Sequence, residues 1–377
     1  MNSAELNKIL TVMLNYRERI SDLNFSVGRP PQVEVDGVLA PVPIKGLEKF
    51  SPYQTEMIAM TMISEDREAI KKLIFTGSVD ISYSIPGVTR FRVNIFAQRG
   101  SYSIAMRVIP SGVPSISDMS LPKALYDVAQ EKNGIVLVTG PTGNGKTTTL
   151  ATIINEINEK HYYHIVTIED PIEYLHPHKC CTINQREIGS DTTTFALALR
   201  AALRQAPKVI LVGEMRDLET TEIALEAAET GHLVLSTLHT IDASKTIDRI
   251  IGIFPKEEEQ QIRIRFSQTF KWVISQRLVP RRDGGRVAAI EILKSTMRTR
   301  EYIVRGETEG RSLVDAMTDG YLDGMQTFDR ELEKFAKQGL IDDETALSYA
   351  TNPNNLALAL QGLAPGQTSG NKPEWIE

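Results

Sequence analysis

The sequence predicts an α/β protein in two parts: an α+β unit with a mostly antiparallel sheet, then a parallel sheet covered by helices. Three observations carry that prediction. Short, partly alternating runs crowd the first third of the chain, three prolines with serine and glycine fill residues 110–122, and beyond them continuous apolar runs alternate with helical stretches. Strands buried on both faces read as unbroken Val, Ile and Leu, whereas strands with one wet face alternate.

Taken in order, residues 3–16 set Leu6, Ile9, Leu10, Met13 and Leu14 on one helical face. Residues 32–39 alternate as QVEVDGVL, with Asp36 and Gly37 reading as a hairpin turn. Ser51 is placed as the N-cap of a helix reaching about residue 73. Strand-like runs follow at 80–85, 90–96 and 102–109, and close a first domain at 1–109. Residues 110–122 are the expected linker. The second domain, 123–362, opens with strands at 135–139, 165–168, 209–212 and 233–236 and is expected to turn largely helical beyond residue 255. Residues 363–377, rich in Gly, Pro, Ser and Asn, read as a flexible tail.

Composition narrows the function class. The net charge of −6 lacks the basic excess of a nucleic-acid protein, so no nucleic-acid partner is expected. The 2 cysteines, adjacent at Cys180 and Cys181, are too few for a disulfide framework or a four-cysteine zinc site. The absence of a signal-like start or a run of about 18 apolar residues predicts a cytoplasmic protein that meets a membrane only peripherally.

The strongest motif is Gly140, Pro141, Thr142, Gly143, Asn144, Gly145, Lys146 and Thr147, which satisfies G-x-x-x-x-G-K-[ST] between a predicted strand and a predicted helix. Glycines let backbone N–H groups turn inward around a phosphate, and the following helix adds its positive end. Lys146 is expected on the β- and γ-phosphates of ATP, and the Thr147 hydroxyl on Mg²⁺. The strand VILV leads through Gly213 to Glu214, an apolar strand ending in an acid beside the metal and attacking water. A second strand ends in Glu169 and Asp170, with Glu173 beyond; each of these either flanks the phosphates or caps a loop. His232 and His239 bracket a buried strand, the position of a γ-phosphate sensor, while His161, His164, His176 and His178 read as structural. Arg200 and Arg204 either pair with the carboxylates or are solvated. Arg90, Arg92, Arg99 and Arg107 are either phosphate clamps or exposed strand charges.

The set GPTGNGKT, TIEDPIEY, QREIG, ALRAALRQAP, VILVGEMRD and TGHLVLSTLHT resembles the type II/type IV secretion ATPases, and within them the pilus retraction (twitching motility) ATPases of the PilT/PilU group. The resemblance implies a PAS-like N-terminal domain, a RecA-like ATPase domain, a homo-hexameric ring and ATP hydrolysis with Mg²⁺. It implies Lys146 and Thr147 at the phosphates and metal, Glu214 and Glu169 as catalytic carboxylates and metal neighbours, and His232 and His239 as sensors. It also implies Arg90, Arg92 and Arg107 approaching the nucleotide. The partners it implies are an inner-membrane pilus platform protein and a paralogous retraction ATPase, at the inner-membrane base of the pilus. The retraction signature AIRNLIRE is only faintly kept at residues 299–306, and the C-terminal MQTFDREL and NPNNLALAL look closer to the PilU-type accessory motor. A ring subunit working only beside an active paralogue, or a related assembly ATPase, are the alternatives.

Overall fold

The structure, a computed structural model, describes residues 1–110 and 112–362; the tail read at 363–377 lies outside the described residues. The chain divides into two units, Met1–Val113 with Pro171–His176, and Pro114–Asp170 with Pro177–Glu377. Of the segment read as linker, the part from Pro114 onward already belongs to the second unit, where Ile116 and Leu121 are buried in the core.

In the first unit six strands form an antiparallel sheet in the order β3-β2-β1-β6-β5-β4: β1 (Ile20–Phe25), β2 (Gln32–Val35), β3 (Val38–Pro41), β4 (Ser78–Ile85), β5 (Thr89–Gln98) and β6 (Ser101–Ile109). Asp36 and Gly37, both at positive φ, turn β2 into β3, as a tight two-residue hairpin requires. One face, with Leu23, Phe91, Val93 and Met106, packs with Leu6 and Leu10 of the helix Ser3–Leu14 and Ile58 of the helix Pro52–Ile63. The single helix expected over 51–73 is two, Pro52–Ile63 and Arg67–Thr76. Ser64 takes a φ of 56°, and the Asp66 carboxylate accepts from the Glu68 and Ala69 amides, capping a new start.

Among the described residues of the second unit, seven strands form a sheet in the order β13-β12-β7-β11-β10-β8-β9: β7 (Gly134–Thr139), β8 (His164–Glu169), β9 (Thr182–Glu187), β10 (Val209–Val212), β11 (Leu233–Leu238), β12 (Phe270–Pro280) and β13 (Arg286–Lys294). All neighbours run parallel except the β12–β13 pair. Every residue of β7, β10 and β11 is buried, because helices cover both faces. The helix Lys146–Lys160 brings Leu150, Ile153 and Ile157 against Val136, Val138 and Leu235 on one face. On the other, the helices Phe195–Ala202, Leu218–Glu229 and Ala243–Ile251 close over Ile135, Leu137, Ile210 and Val212.

Beyond residue 255 the described chain is largely helical, as expected, but it also holds two strands that the sequence reading missed, β12 and β13, 11 and 9 residues long. The helix Glu259–Thr269 passes straight into β12 with Phe270 as its C-cap, so no glycine or proline punctuates the change. The helices Phe328–Lys337, Asp343–Tyr349 and Pro353–Leu360 then bury Phe328, Leu332 and Leu356 against Val279 and Ala289 of that strand pair. The fold is thus α/β, as the sequence predicts. Among the described residues no helix is long and apolar enough to cross a membrane.

Candidate active site

Between β7 and the helix Lys146–Lys160 the backbone turns on three glycines at positive φ: Gly140 at 146°, Gly143 at 79° and Gly145 at 79°. Residues with a Cβ reach that region only at a cost, so the loop's shape explains its composition. Gly145 is the N-cap of the helix, which delivers the positive end of the helix dipole into the same loop. Lys146 is buried, and its Nζ donates to the carbonyls of Gly140 at 2.8 Å and Pro141 at 3.0 Å. The ammonium therefore lies inside the loop. Pro141, Thr142 and Gly143 form an exposed lip, and Thr147 stands partly exposed on the first helical turn. A Gly-rich turn, a helix N-terminus and an inward ammonium together suit the phosphates of a nucleotide.

The loop rests on β12, a support the sequence reading missed. A Cβ on Gly140 would lie 2.4 Å from the Gln276 carbonyl oxygen, and one on Gly145 2.9 Å from Gln276 Nε2. Thr149 Oγ1 donates to Gln276 Oε1 at 2.7 Å, and the Leu278 amide donates to Asn144 Oδ1 at 2.7 Å. Thr139 Oγ1 likewise donates to Ser275 Oγ at 3.0 Å.

Glu169 and Glu214 leave neighbouring parallel strands, where Ile168 pairs with Val212, at the same carboxyl edge as the loop. Glu169 is buried, and its Oε1 accepts from Thr167 Oγ1 at 2.6 Å and Gln185 Nε2 at 3.1 Å. Glu214 is more open, with Oε2 2.7 Å from Arg216 Nη2 and 3.7 Å from His239 Nε2. Gly213, between the strand and Glu214, sits close against the adjoining strand: a Cβ there would lie 3.2 Å from Ile168 O and 3.4 Å from the Phe195 ring.

His239 follows the carboxyl end of β11, and its Nδ1 is 3.4 Å from Thr142 Oγ1 of the loop. Burial, with Lys146 and Arg216 nearby, holds its pKa below the ordinary histidine value despite the opposing pull of Glu214. The imidazole is therefore neutral at pH 7. His232 is not brought to this edge. It precedes the other end of β11, where Nδ1 lies 2.9 Å from Ala227 O and 3.3 Å from Thr230 Oγ1. The six residues of the strand separate it from the loop by about 20 Å. The expected sensor role of His232 is corrected for the site of its own chain: this residue ties the helix Leu218–Glu229 to the strand.

Arg200 pairs with Glu219 at 2.8 Å on an exposed surface and Arg204 donates to the Arg200 carbonyl, rather than to Glu169 or Glu214. His164 bridges Gln205 O and Asn184 Oδ1, and His178 accepts from the Ile183 amide, as structural histidines do. In the first unit Arg92 and Arg107 are cross-strand partners on β5 and β6, with Arg90 two residues along the same face, opposite the core. Arg107 Nε donates to Asp22 Oδ1 at 3.0 Å.

A family model described as "Type II/IV secretion system protein" matches residues 54–321. The "Type IV pilus retractation ATPase PilT" of Pseudomonas aeruginosa is 43% identical over 339 residues, covering 90% of this chain and 96% of that protein. The "Type IV pilus ATPase PilU" of the same organism is 38% identical over 359 residues, covering 95% and 91%. The crystal structure of the pilus retraction motor PilT with bound ADP superposes with a TM-score of 0.80 at 43% identity, covering 94% of this chain and 98% of that one. A Lys146-centred loop, two strand-end carboxylates and relatives that match 90% and 95% of the chain leave one conclusion: the chain belongs to the type II/IV secretion system protein family, among its PilT- and PilU-type ATPases.

Proposed function

We propose that the chain is a motor that hydrolyses ATP to power type IV pilus retraction. One observation carries the reading. The Lys146 loop, Glu214 and His239 meet at a single sheet edge, in a chain 43% identical to a retraction ATPase. ATP enters with its phosphates in the N–H cradle of residues 140–147, where the Lys146 ammonium offsets their charge. Glu214 accepts a hydrogen from the attacking water and aims its oxygen at the γ-phosphorus. Glu169, fixed by Thr167 and Gln185, assists from the adjoining strand. Neutral His239 pairs with the γ-phosphate and loses that partner on hydrolysis. Mg²⁺, held by Thr147 with Glu169 and Glu214, would neutralise charge building on the phosphate oxygens.

In this proposal six copies form a ring at the cytoplasmic base of the pilus, docked on an inner-membrane platform protein. Arg90, Arg92 and Arg107 add positive charge at the nucleotide, and hydrolysis drives rigid-body motion of the two units. Light scattering with an ATP analogue and Mg²⁺ is expected to give a mass of about six chains; a strict monomer contradicts the ring. The C-terminal MQTFDREL and NPNNLALAL, which look closer to the PilU type, support an accessory retraction motor as the second reading. Deletion strains decide. Excess pili in the single deletion support a primary motor, while normal piliation with weakened surface motility supports the accessory one. Loss of pili overturns retraction.

A further inference from the structure

We propose that Gln276 is a positioning residue for the phosphate loop, and that β12 carries the nucleotide state of that loop to the C-terminal helices through the adjacent Arg277. The two residues point to opposite faces of the sheet, as consecutive strand residues must. On the loop side, both the carbonyl and the side chain of Gln276 form the floor: the carbonyl under Gly140, Nε2 under Gly145, and Oε1 accepting from Thr149. Gln276 is 2% exposed, so water does not replace a lost partner there. The Leu278 amide holds Asn144 from the same strand. A change in loop shape at residues 140–149 therefore presses directly on residues 276–278.

On the other side, Arg277 Nη1 donates to the Tyr349 carbonyl at 2.6 Å, and its guanidinium stacks 3.8 Å from the centre of the Phe328 ring. Phe328 is fully buried, and its neighbour Asp329 accepts from the Thr351 and Asn352 amides. One arginine thus grips both the first helix of the C-terminal cluster and the end of the second. β12 pairs with β7 over Phe270–Ser275 and with β13 over Trp272–Pro280, so residues 276–278 lie on the same β13 ladder as the rest of the strand. Packed elements with two discrete arrangements are how small displacements reach distant segments.

The inference rests on nucleotide binding at residues 140–147, so binding of ADP by the unaltered chain is the control that separates the failure of one from the failure of the other. Hydrogen exchange of the full chain with and without ADP is expected to show slower exchange at Asp343–Tyr349 and Pro353–Leu360 when ADP is bound. Gln276→Met, which keeps volume and removes the hydrogen bond, is expected to raise the KM for ATP roughly tenfold, with kcat at saturation within twofold, and to abolish that protection. Arg277→Lys keeps the charge without the stacked fork. It is expected to bind ADP within twofold of the unaltered chain yet lose the ADP-dependent protection. Wild-type KM in Gln276→Met, or C-terminal helices whose exchange ignores ADP in a chain that binds it, would overturn the proposal.

Discussion

The two edges of the parallel sheet are made by the same strands and behave in opposite ways. At the amino edge the polar groups bond to one another: Gly134 N to His232 O, Lys208 N to His164 O, Lys208 Nζ to Gly231 O. At the carboxyl edge they converge on a loop built from three glycines at positive φ, where Lys146, Glu214 and His239 lie within electrostatic reach of each other. Strand direction makes the difference. Helices that follow parallel strands begin at the carboxyl edge, so N–H groups and positive helix ends gather there and anions follow. A histidine at either end of β11 is one residue type with two fates.

Substitutions can break or sharpen that contrast. The largest effect is expected from Glu214→Gln, which keeps shape but weakens the acceptor for the water's proton; kcat should fall roughly 100- to 10,000-fold with nucleotide affinity retained. Normal hydrolysis there, with loss in Glu169→Gln, reverses the two carboxylates. Lys146→Ala should lower turnover roughly 100- to 1,000-fold, and an alanine variant keeping half its activity would detach the loop from catalysis.

A stability effect comes next, on β13 beneath the carboxyl edge. Glu291 accepts from the Ala243 amide at 2.8 Å, and burial pushes its carboxyl from the ordinary 4.5 up to about 7. A raised carboxyl favours the protonated form in the folded chain. Its contribution is whole below about 4.5 and lost as pH climbs through about 7, on the order of 3 kcal/mol across that window. Glu291→Gln should flatten the fall in urea midpoint between pH 5 and pH 8; an unchanged slope would remove Glu291 from that role. The smallest pair of effects tests the contrast most directly. His239→Ala should cost kcat roughly ten- to a hundredfold with stability little changed, and His232→Ala about 1 kcal/mol of stability with kcat unchanged. Equal losses of kcat in both would erase the distinction between the edges.

What the sequence made legible was local. Residues 140–147 carry their meaning in eight consecutive positions, and the strands at 209–212 and 233–236 declare themselves by unbroken apolar character. Glu214 is found by the strand before it. The remainder depends on distant neighbours. Gln276 sits 127 residues from Thr149, and nothing within ISQRLVP marks contact with a phosphate loop. β9, read TINQRE, is too polar to read as a strand and takes shape only beside β8 at the sheet edge. His232 and His239 look symmetrical about LVLSTL, and only the parallel pairing of β11 with β7 tells them apart.

The seating of the phosphate loop on β12 also sets a clock. Asn144 is synthesised 134 residues before Leu278, whose amide holds it. At about 5–20 residues per second that interval is roughly 7 to 27 s. Throughout it the nascent chain carries the complete nucleotide-binding motif without the floor that shapes it. Strands β8, β10 and β11 are completed within it, but the flank of β7 that pairs with β12 stays uncovered until residues 270–275 have been made. The floor of the phosphate loop is therefore the last of the parallel strands to be made, long after the motif it shapes.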